Sequence, residues 1–575
     1  MPNYIIREQY EQMTETKVHE DPLLDWLYRG RGVTESAELD YGLAGIESPY
    51  TLKGIEQAAT LLADSIESGD RLLIISDYDC DGATGCAIGV EGLRGLGASN
   101  VEFLVPNRFD YGYGLSPEIV AEAAKLKPDV IITVDNGIAS LAGAKAVKDL
   151  PHPTKLLITD HHLAPEQLPE ADVIVNPNQP GCEFPSKALA GCGVMFYVLL
   201  ATRKELKSRG WFESHTNPNM ADLLDLLALG TVADVVPLDH NNRILVRQGL
   251  DRINQGYVRP GIRALLEIGN RTIGNIVASD FGFVAGPRLN AAGRLEDMTI
   301  GINCLLEKDP GIAMQYATRL DEINRERKVI EKDMKDSAVE NIELAKERYG
   351  LCVYRQEWHQ GVIGIVASRI KDSMFRPVIC FAPDSDGIIK GSARSVKGFH
   401  MRDALANIDA KEPGILLKYG GHAMAAGMSI NYDDYERFCD LFDEQVKLVL
   451  TAKDIEGNIE TDGVLPKDRF DIYTAQLLKD AGPWGQHFPE PVFMGEFTVI
   501  EHRVLADKHL KMLLRPIGGS QPVEAICFNC VDGSYEFEWP VINAVFKLDV
   551  NEWRGRQSLQ LLIDHFTVEG IEQAA

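Results

Sequence analysis

Asp77, Asp79 and Asp81 occupy alternate positions of one short segment, Asp77-Tyr78-Asp79-Cys80-Asp81-Gly82. Like charges about 4 Å apart repel by roughly 4 kcal/mol at an effective dielectric of 20, and a bound cation removes that cost. Two further segments carry donors of the same kind, Asp135-Asn136-Gly137 and Asp160-His161-His162, and Asp234 lies later in Gly-Thr-Val-Ala-Asp-Val-Val-Pro. The bland alternatives are a solvated Asp turn capping a helix, an N-cap at Asp234, and hydrogen-bonded loop histidines. Three Asp in five residues, and paired His directly after Asp, favour the cation. Carboxylates with imidazole and no thiolate suit Mg²⁺ or Mn²⁺. There are ligands enough for two ions, and two ions about 3.5–4 Å apart can hold attacking and leaving oxygens in line across a phosphate. The expected chemistry is metal-assisted hydrolysis of a phosphoester or phosphoanhydride.

A second group of residues suits phosphate. It comprises Arg288, Asn290 and Arg294 in Gly-Pro-Arg-Leu-Asn-Ala-Ala-Gly-Arg, then Ser368-Arg369, Ser392 and Arg394 in Gly-Ser-Ala-Arg-Ser, and finally Gly420-Gly421-His422 with Ala425-Ala426-Gly427. Arginine grips phosphate with two parallel N–H donors, and Gly-rich turns let backbone N–H groups approach an anion.

These residues need a scaffold, and the flanking pattern supplies one. The runs LLIIS (72–76), VIITV (130–134) and LLIT (156–159) have the length and Ile/Leu/Val content of buried parallel strands. Further strand candidates at 101–105 and 173–175, separated by helical stretches such as 55–66 and 116–125, complete a βαβ series. Ligands of open α/β sheets bind at the carboxyl ends of the strands, which is where the three acidic segments fall. Residues 220–229 read as a buried helix ending at Gly230. Residues 312–349 hold no Gly or Pro and keep near-helical apolar spacing, the pattern of a connecting helix of about 55 Å at 1.5 Å per residue or of two shorter helices with a break. A second α/β lobe over 350–450 contains strand candidates at 351–354 and 378–381. Alternating runs over 455–570 read as a small β-barrel or sandwich. The expected division is 1–50, 51–311, 312–349, 350–450 and 455–570.

The chain of 575 residues has a formal net charge of −27, which argues against a nonspecific coat on nucleic acid, since Lys and Arg supply phosphate contacts. A local basic channel is compatible with it. The 10 cysteines fit a reduced, cytoplasmic setting. No apolar run long enough to cross a membrane and no signal-peptide pattern is evident.

Asp-His-His at 160–162 together with DYDCDG at 77–82 resembles the DHH phosphoesterase superfamily and, within it, bacterial single-strand-specific exonucleases. VPNRFDYGYGLSP (105–117), VDNGI (134–138), TDHHL (159–163), NP (176–177), GTVADVVPL (230–238), GPRLNAAGRL (286–295), HQGVIGIVASR (359–369), GSARS (391–395) and GGHAMAAGM (420–428) carry the resemblance. It implies two α/β lobes, DHH and DHH-associated, joined by the long helix and followed by a C-terminal OB-type β-barrel. It also implies a 5′-to-3′ exonuclease on single-stranded DNA that releases nucleotides in DNA repair and recombination, with Mn²⁺ or Mg²⁺, two ions, as cofactor. By motif matching, Asp77, Asp79, Asp81, Asp135, His161 and Asp234 hold the metals, and His162 supports the site or contacts the scissile phosphate. Ser392, Arg394 and the Gly420-Gly421-His422 turn match contacts to a 5′ end, and Arg108 and Arg288 match DNA or scissile-phosphate contacts. The two lobes are expected to leave a cleft that admits one strand. Lys508, Lys511, Arg515, Trp553, Arg554 and Arg556 are the barrel's candidates for extending the DNA track, with ordinary barrel surface and core as the alternative. A single-strand-binding protein and a RecQ-type helicase are the implied partners of a monomer. Asp110-Tyr111 and Cys80 depart from the usual pattern, and Cys80 would make the site sensitive to oxidation. The alternatives are a small-substrate DHH phosphodiesterase or pyrophosphatase, which would lack the third domain, and a non-catalytic DNA-binding scaffold, which would have lost ligands. No GxxxxGK[ST] supports a nucleotide-binding regulator.

Overall fold

The computed structural model describes residues 3–7, 17–106, 114–344, 347–385, 387–519, 521–531, 540–553 and 555–568. It divides into two compact units: one of Ile5–Gly293, Asp297–Leu320 and Glu460–Ala575, the other of Met1–Tyr4, Arg294–Glu296 and Asp321–Ile459. A short ribbon pairs β1 (Asn3–Ile6) with β12 (Asn458–Thr461).

The larger unit is built on β2 (Arg71–Ser76), β3 (Asn100–Leu104), β4 (Val130–Val134), β5 (Lys155–Thr159) and β6 (Val173–Val175). All pairings are parallel, in the order β3-β2-β4-β5-β6. The strand order therefore reverses between β2 and β4, and that crevice is where doubly wound sheets bind ligands. Ser76 lies opposite Val134 and Val134 opposite Thr159, so β2, β4 and β5 end at one level. Each next residue still donates its N–H to the neighbouring strand: Asp77 to Val134 O (3.2 Å), Asp135 to Thr159 O (3.1 Å) and Asp160 to Val175 O (3.2 Å). The backbone ladder itself thus sets three acidic residues side by side.

The helices follow from caps and buried faces. Ser116 Oγ accepts the Ile119 N–H to start Pro117–Lys125. Helix Pro22–Arg29 buries Leu23, Leu24, Leu27 and Tyr28 in the unit's main core, and Arg31 after it pairs with Asp462 in full burial at 2.9 Å. The stretch that reads from sequence as a helix ending at Gly230 is a 3₁₀ turn, Met220–Leu223, followed by an α-helix, Leu224–Ala233, that runs through Gly230. Gly230 serves close packing there: a Cβ would lie 2.2 Å from Thr84 Oγ1. The unit also contains a closed barrel, β13 (Phe493–Leu505), β14 (His509–Pro516), β15 (Val523–Cys527), β17 (Arg556–Val568) and β16 (Val541–Trp553), in that order around the wall, which is OB-type architecture.

Helix Pro310–Leu344 has 35 residues, about 52 Å at 1.5 Å each. The smaller unit begins within it, at Asp321. Its sheet runs β10 (Lys418–Gly421), β11 (Ala425–Asn431), β9 (Ile388–Arg394), β8 (Val378–Pro383), β7 (Leu351–Tyr354). Only β7 and β8 pair in parallel. All ten cysteines are free thiols, and no described helix is long and apolar enough to cross a membrane.

Helix Leu224–Ala233 is pinned at its start by a buried ion pair. Arg259 Nη2 and Nε meet both oxygens of Asp225 at 2.7 and 2.9 Å, while Nη1 reaches Glu91 at 3.0 Å. Removing one member strands the other in a dry environment. Asp225→Ala is therefore expected to lower unfolding free energy by about 3–5 kcal/mol. Denaturant melting checks this, and a loss within experimental error of zero would contradict it.

Candidate metal centre

At the switch point the structure gathers every Asp and His that the sequence assigned to the cation. Ligand atoms of Asp77, Asp79 and Asp135 lie within 4.8 Å of one another, as do those of Asp81, His161 and Asp234, and those of Asp135, His161 and His162. Asp135 belongs to two of these groups. His161 Nε2 is the hub: it lies 3.1 Å from Asp135 Oδ1, 3.6 Å from Asp234 Oδ2 and 3.9 Å from Asp81 Oδ2.

Local backbone chemistry explains each placement. Asp79 is the N-cap of helix Cys80–Leu96, its carboxylate accepting the Gly82 N–H at 3.0 Å. The capping alternative is thus correct for Asp79 and coexists with a place in the cluster. Asp135 adopts φ +62°, a left-handed conformation that Asp tolerates better than most residues. Asn136 then ties β2 to β4 by donating to Ile75 O and Val134 O. Asp81 accepts N–H groups of Gly191 (2.7 Å) and Cys192 (2.9 Å) at the start of helix Gly191–Ser208. Asp234 is the C-cap of helix Leu224–Ala233, not an N-cap, because that helix ends where the chain turns at Val235.

Burial, and then the charges of Asp81, Asp79 and their neighbours, push the carboxyls of Asp135 and Asp234 well above the usual range. Burial and Asp81 raise Asp79 as well. Burial lowers His161, and its Nε2 has no hydrogen-bond partner among the described residues. A buried ring nitrogen without a donor, aimed at three carboxylates, fits a divalent cation. His162 differs. Burial works against its charge, but its 2.7 Å bond to Asp160 and that carboxylate's charge raise it to about 9. Burial raises Asp160 too, yet the histidines and the Ile138 N–H hold it below its ordinary value.

Asp160 therefore positions rather than ligates: it accepts the N–H groups of His161 and His162 as well as His162 Nδ1. Two more positioning residues were missed. Asn176 donates to His162 O at 2.9 Å, and Asn178 to His161 O at 2.5 Å. The sequence signal nearest to them is the Asn176-Pro177 pair. Cys80 is buried, and burial and the surrounding carboxylates push its thiol well up. It stays protonated and is a poor oxidation target, contrary to the expectation from its position.

The phosphate candidates separate. In the larger unit, Asn290 Oδ1 accepts the Cys80 N–H at 2.8 Å, so it holds the acidic loop. Gly293 on the same helix lets that loop approach, since a Cβ there would lie 1.8 Å from Tyr78 O. Arg288 Nη1 donates to Val284 O. In the smaller unit, Arg294 Nη1 donates to Gly361 O, and Arg369 pairs with Glu331. Ser392, Gly427 and Gly420 sit opposite one another on β9, β11 and β10. These motifs are strand and strand-end, not Gly-rich loops, because their small residues let neighbouring strands close up. Arg394 reaches Ser392 Oγ at 3.3 Å and makes no ion pair among the described residues. Gly364, on helix Ile363–Met374, faces both side chains, and Ser368 lies one turn further along that helix. A half-buried guanidinium without a carboxylate has the chemistry to take an anion. Gly421 has φ +135° and the His422 N–H closes the turn onto Ala425 O. In the barrel Lys511 pairs with Glu524, while Lys508, Arg515 and Arg556 are exposed. Arg108, Asp110, Tyr111, Arg554 and the Trp553 side chain lie outside the described residues.

A doubly wound sheet with an Asp/His cluster at its switch point defines a DHH-type protein, and residues 71–231 match the DHH family, N-terminal domain. Residues 348–448 match the DHHA1 domain and 461–565 the RecJ OB domain. The chain belongs to the RecJ family. It is 48% identical to the single-stranded-DNA-specific exonuclease RecJ of Salmonella typhimurium over 97% of this chain and 98% of that one, and 47% identical to that of Escherichia coli with the same coverage. The Thermus thermophilus RecJ structure in complex with Mn²⁺ superposes with a TM-score of 0.78 at 28% identity, covering 99% of this chain and 79% of that one.

Supporting groups behind metal ligands typically change affinity about 10–100-fold when removed. Asp160→Asn is expected to weaken Mn²⁺ binding by that factor in calorimetry, although Asp160 is in none of the ligand groups. Native affinity in that variant would contradict the positioning role.

Proposed function

We propose that this chain is a metal-dependent, single-strand-specific DNA exonuclease working from the 5′ end. The observation that carries the reading is an intact Asp/His cluster at the switch point, in a chain matched by single-strand-specific relatives along its whole length, OB barrel included. The proposed domains are an extension over 1–50, the catalytic domain over 51–311, the connecting helix over 312–349, the DHH-associated domain over 350–450 and the OB domain over 455–570.

Asp77, Asp79 and Asp135 would hold one Mn²⁺ or Mg²⁺ and Asp81, His161 and Asp234 the other, and Asp135 Oδ1, 3.1 Å from His161 Nε2, sits where the two groups meet. When bound, the ions supply a hydroxide at neutral pH and charge on the phosphate oxygens. Asp81 and Asp160, fixed by backbone N–H groups, keep the ligand geometry through the reaction. Positively charged His162 faces a non-bridging oxygen of the scissile phosphate. The water oxygen bonds to phosphorus, the bond to the 3′ oxygen of the terminal nucleotide breaks, and that oxygen leaves with a proton. The shortened strand keeps a 5′ phosphate, the same end chemistry as before. Arg394 and Ser392, with Gly421 and His422, bind that terminal phosphate, and Ser368, Arg369, Arg288 and Arg294 contribute along the backbone. The barrel's Lys508, Arg515 and Arg556 extend the track. The protein works as a cytoplasmic monomer in repair and recombination, beside a single-strand-binding protein and a RecQ-type helicase.

Long single-stranded DNA labelled at either end is expected to lose its 5′ label first with Mn²⁺ or Mg²⁺, while duplex stays intact and Asp135→Ala falls to background. Early loss of the 3′ label, or activity surviving in Asp135→Ala, would contradict the assignment.

A further inference from the structure

Cys527-Phe528-Asn529-Cys530, in the barrel, is the one Cys-x-x-Cys of the chain. The usual uses of this spacing are metal binding and reversible thiol–disulfide chemistry. Two thiols are too few for a closed zinc site, and neither belongs to a group of three or more metal donors among the described residues. Thiol chemistry is the use that fits.

The local geometry suits it. Cys527 ends β15, and Phe528 and Asn529 form the turn that follows, with Asn529 left-handed at φ +54°. The first and fourth residues of a turn lie within about 7 Å at Cα, and a disulfide spans about 4.4–6.8 Å between Cα atoms. Cys530 Sγ already folds back over the turn, donating to Cys527 O at 3.3 Å. Cys527 is buried, and burial, then a hydrogen bond with Cys530, push its thiol up. The two thiols are thus in contact, with Cys527 shielded and Cys530 half-exposed. An oxidant arriving from solvent meets Cys530 first. Cys352 also hydrogen-bonds a second thiol, Cys439, but that pair joins β7 to helix Tyr435–Val449. Closing it would move a packed helix, whereas closing the turn moves only Phe528 and Asn529, both exposed.

The turn is also latched to its neighbour in the barrel wall. His509 Nδ1 accepts the Asn529 N–H at 3.0 Å, and Lys508 O accepts the Val531 N–H at 3.2 Å. The Phe528 ring meets the His509 ring edge-on at 5.3 Å. The corner that presents Lys508 therefore hangs on the backbone groups either side of Cys530.

We propose that Cys527 and Cys530 are a modification site, a dithiol that a peroxide closes to a reversible disulfide, and that closure loosens the corner carrying Lys508. Cys530 loses its proton and its sulfur bonds to one peroxide oxygen; the O–O bond breaks and the leaving hydroxide takes that proton as water. Cys527 sulfur then bonds to Cys530 sulfur, the S–O bond breaks, and the Cys527 proton leaves with the hydroxyl as a second water. Each sulfur gives up one electron and the peroxide takes both. A thiol reductant reverses the change by exchange. The new bond removes the Cys530 thiol proton from Cys527 O and draws Cys530 onto β15. The flanking N–H groups of Asn529 and Val531 move with it, away from His509 and Lys508. The effect on DNA rests on the nuclease reading, which puts Lys508 on the track; the disulfide itself does not.

The test treats the full chain with hydrogen peroxide, removes the excess, alkylates and digests. The peptide holding both barrel cysteines is expected to lose two hydrogens and to take up no alkyl group, and to regain both after a dithiol reductant. Binding of a labelled single-stranded oligonucleotide, with divalent metal omitted so that nothing is cut, is the second readout. Loss of one phosphate contact flattens the salt dependence by about 0.7 in log–log slope, or about fivefold in affinity at 0.1 M salt. That loss is expected on oxidation and recovery is expected on reduction. Cys530→Ser, which keeps a hydroxyl to donate to Cys527 O, is expected to bind like reduced native protein and to ignore peroxide. Full alkylation of both cysteines after peroxide, or a link between Cys352 and Cys439 in their place, would overturn the site. A formed disulfide with unchanged affinity and salt slope would overturn the loosening of the corner. A native protein that binds no single strand even when reduced would count against the nuclease reading, while the peptide mass still decides the disulfide.

Discussion

The shared end-level of three parallel strands is the constraint on which the metal centre depends. Because β2, β4 and β5 are in register at Ser76, Val134 and Thr159, the next residue of each is acidic, and each still bonds through its N–H to the adjacent strand. Backbone hydrogen bonding therefore fixes where Asp77, Asp135 and Asp160 sit before any side-chain chemistry begins. The opposing force is electrostatic. Buried carboxylates this close are held apart from their ordinary ionisation, and a cation relieves the conflict. The fold supplies the geometry, and the bound ion supplies the reason for it.

Around that ladder the chain adds supports from distant segments. Asp81 is clamped by the start of helix Gly191–Ser208, the acidic loop by Asn290, and the two histidines by Asp160, Asn176 and Asn178. Asp234 comes from the far end of a helix whose near end is locked by Arg259 and Asp225. A centre assembled this way resists rearrangement as substrate arrives, which is what electrostatic stabilisation of a transition state requires.

Much of this was legible in the sequence, for physical reasons. The runs at 72–76, 130–134 and 156–159 are short, apolar and bounded, and a buried parallel strand has few other signatures. The acidic residues directly after them could only fall at one sheet edge. What stayed hidden depended on pairing across long stretches of chain. Asn290 read as a phosphate contact, and its part as a brace stayed hidden because its partner, the Cys80 N–H, lies more than two hundred residues earlier. Gly230 looked like a helix end and proved to be a packing contact. The Ser392 and Gly420 motifs looked like loops because glycine disfavours strands in isolation, and only the register of β9, β10 and β11 shows them as one row. The helix over Pro22–Arg29 was hidden inside an apparently polar lead-in, its buried face too short to stand out.

The most direct test of the account is anomalous diffraction at the manganese edge from crystals of the protein soaked in Mn²⁺. The account predicts two ions about 3.5–4 Å apart, with the Asp135 carboxylate between them, Asp77 and Asp79 on one side and Asp81, His161 and Asp234 on the other. Ions bound elsewhere, or a centre from which Asp135 is absent, would contradict it.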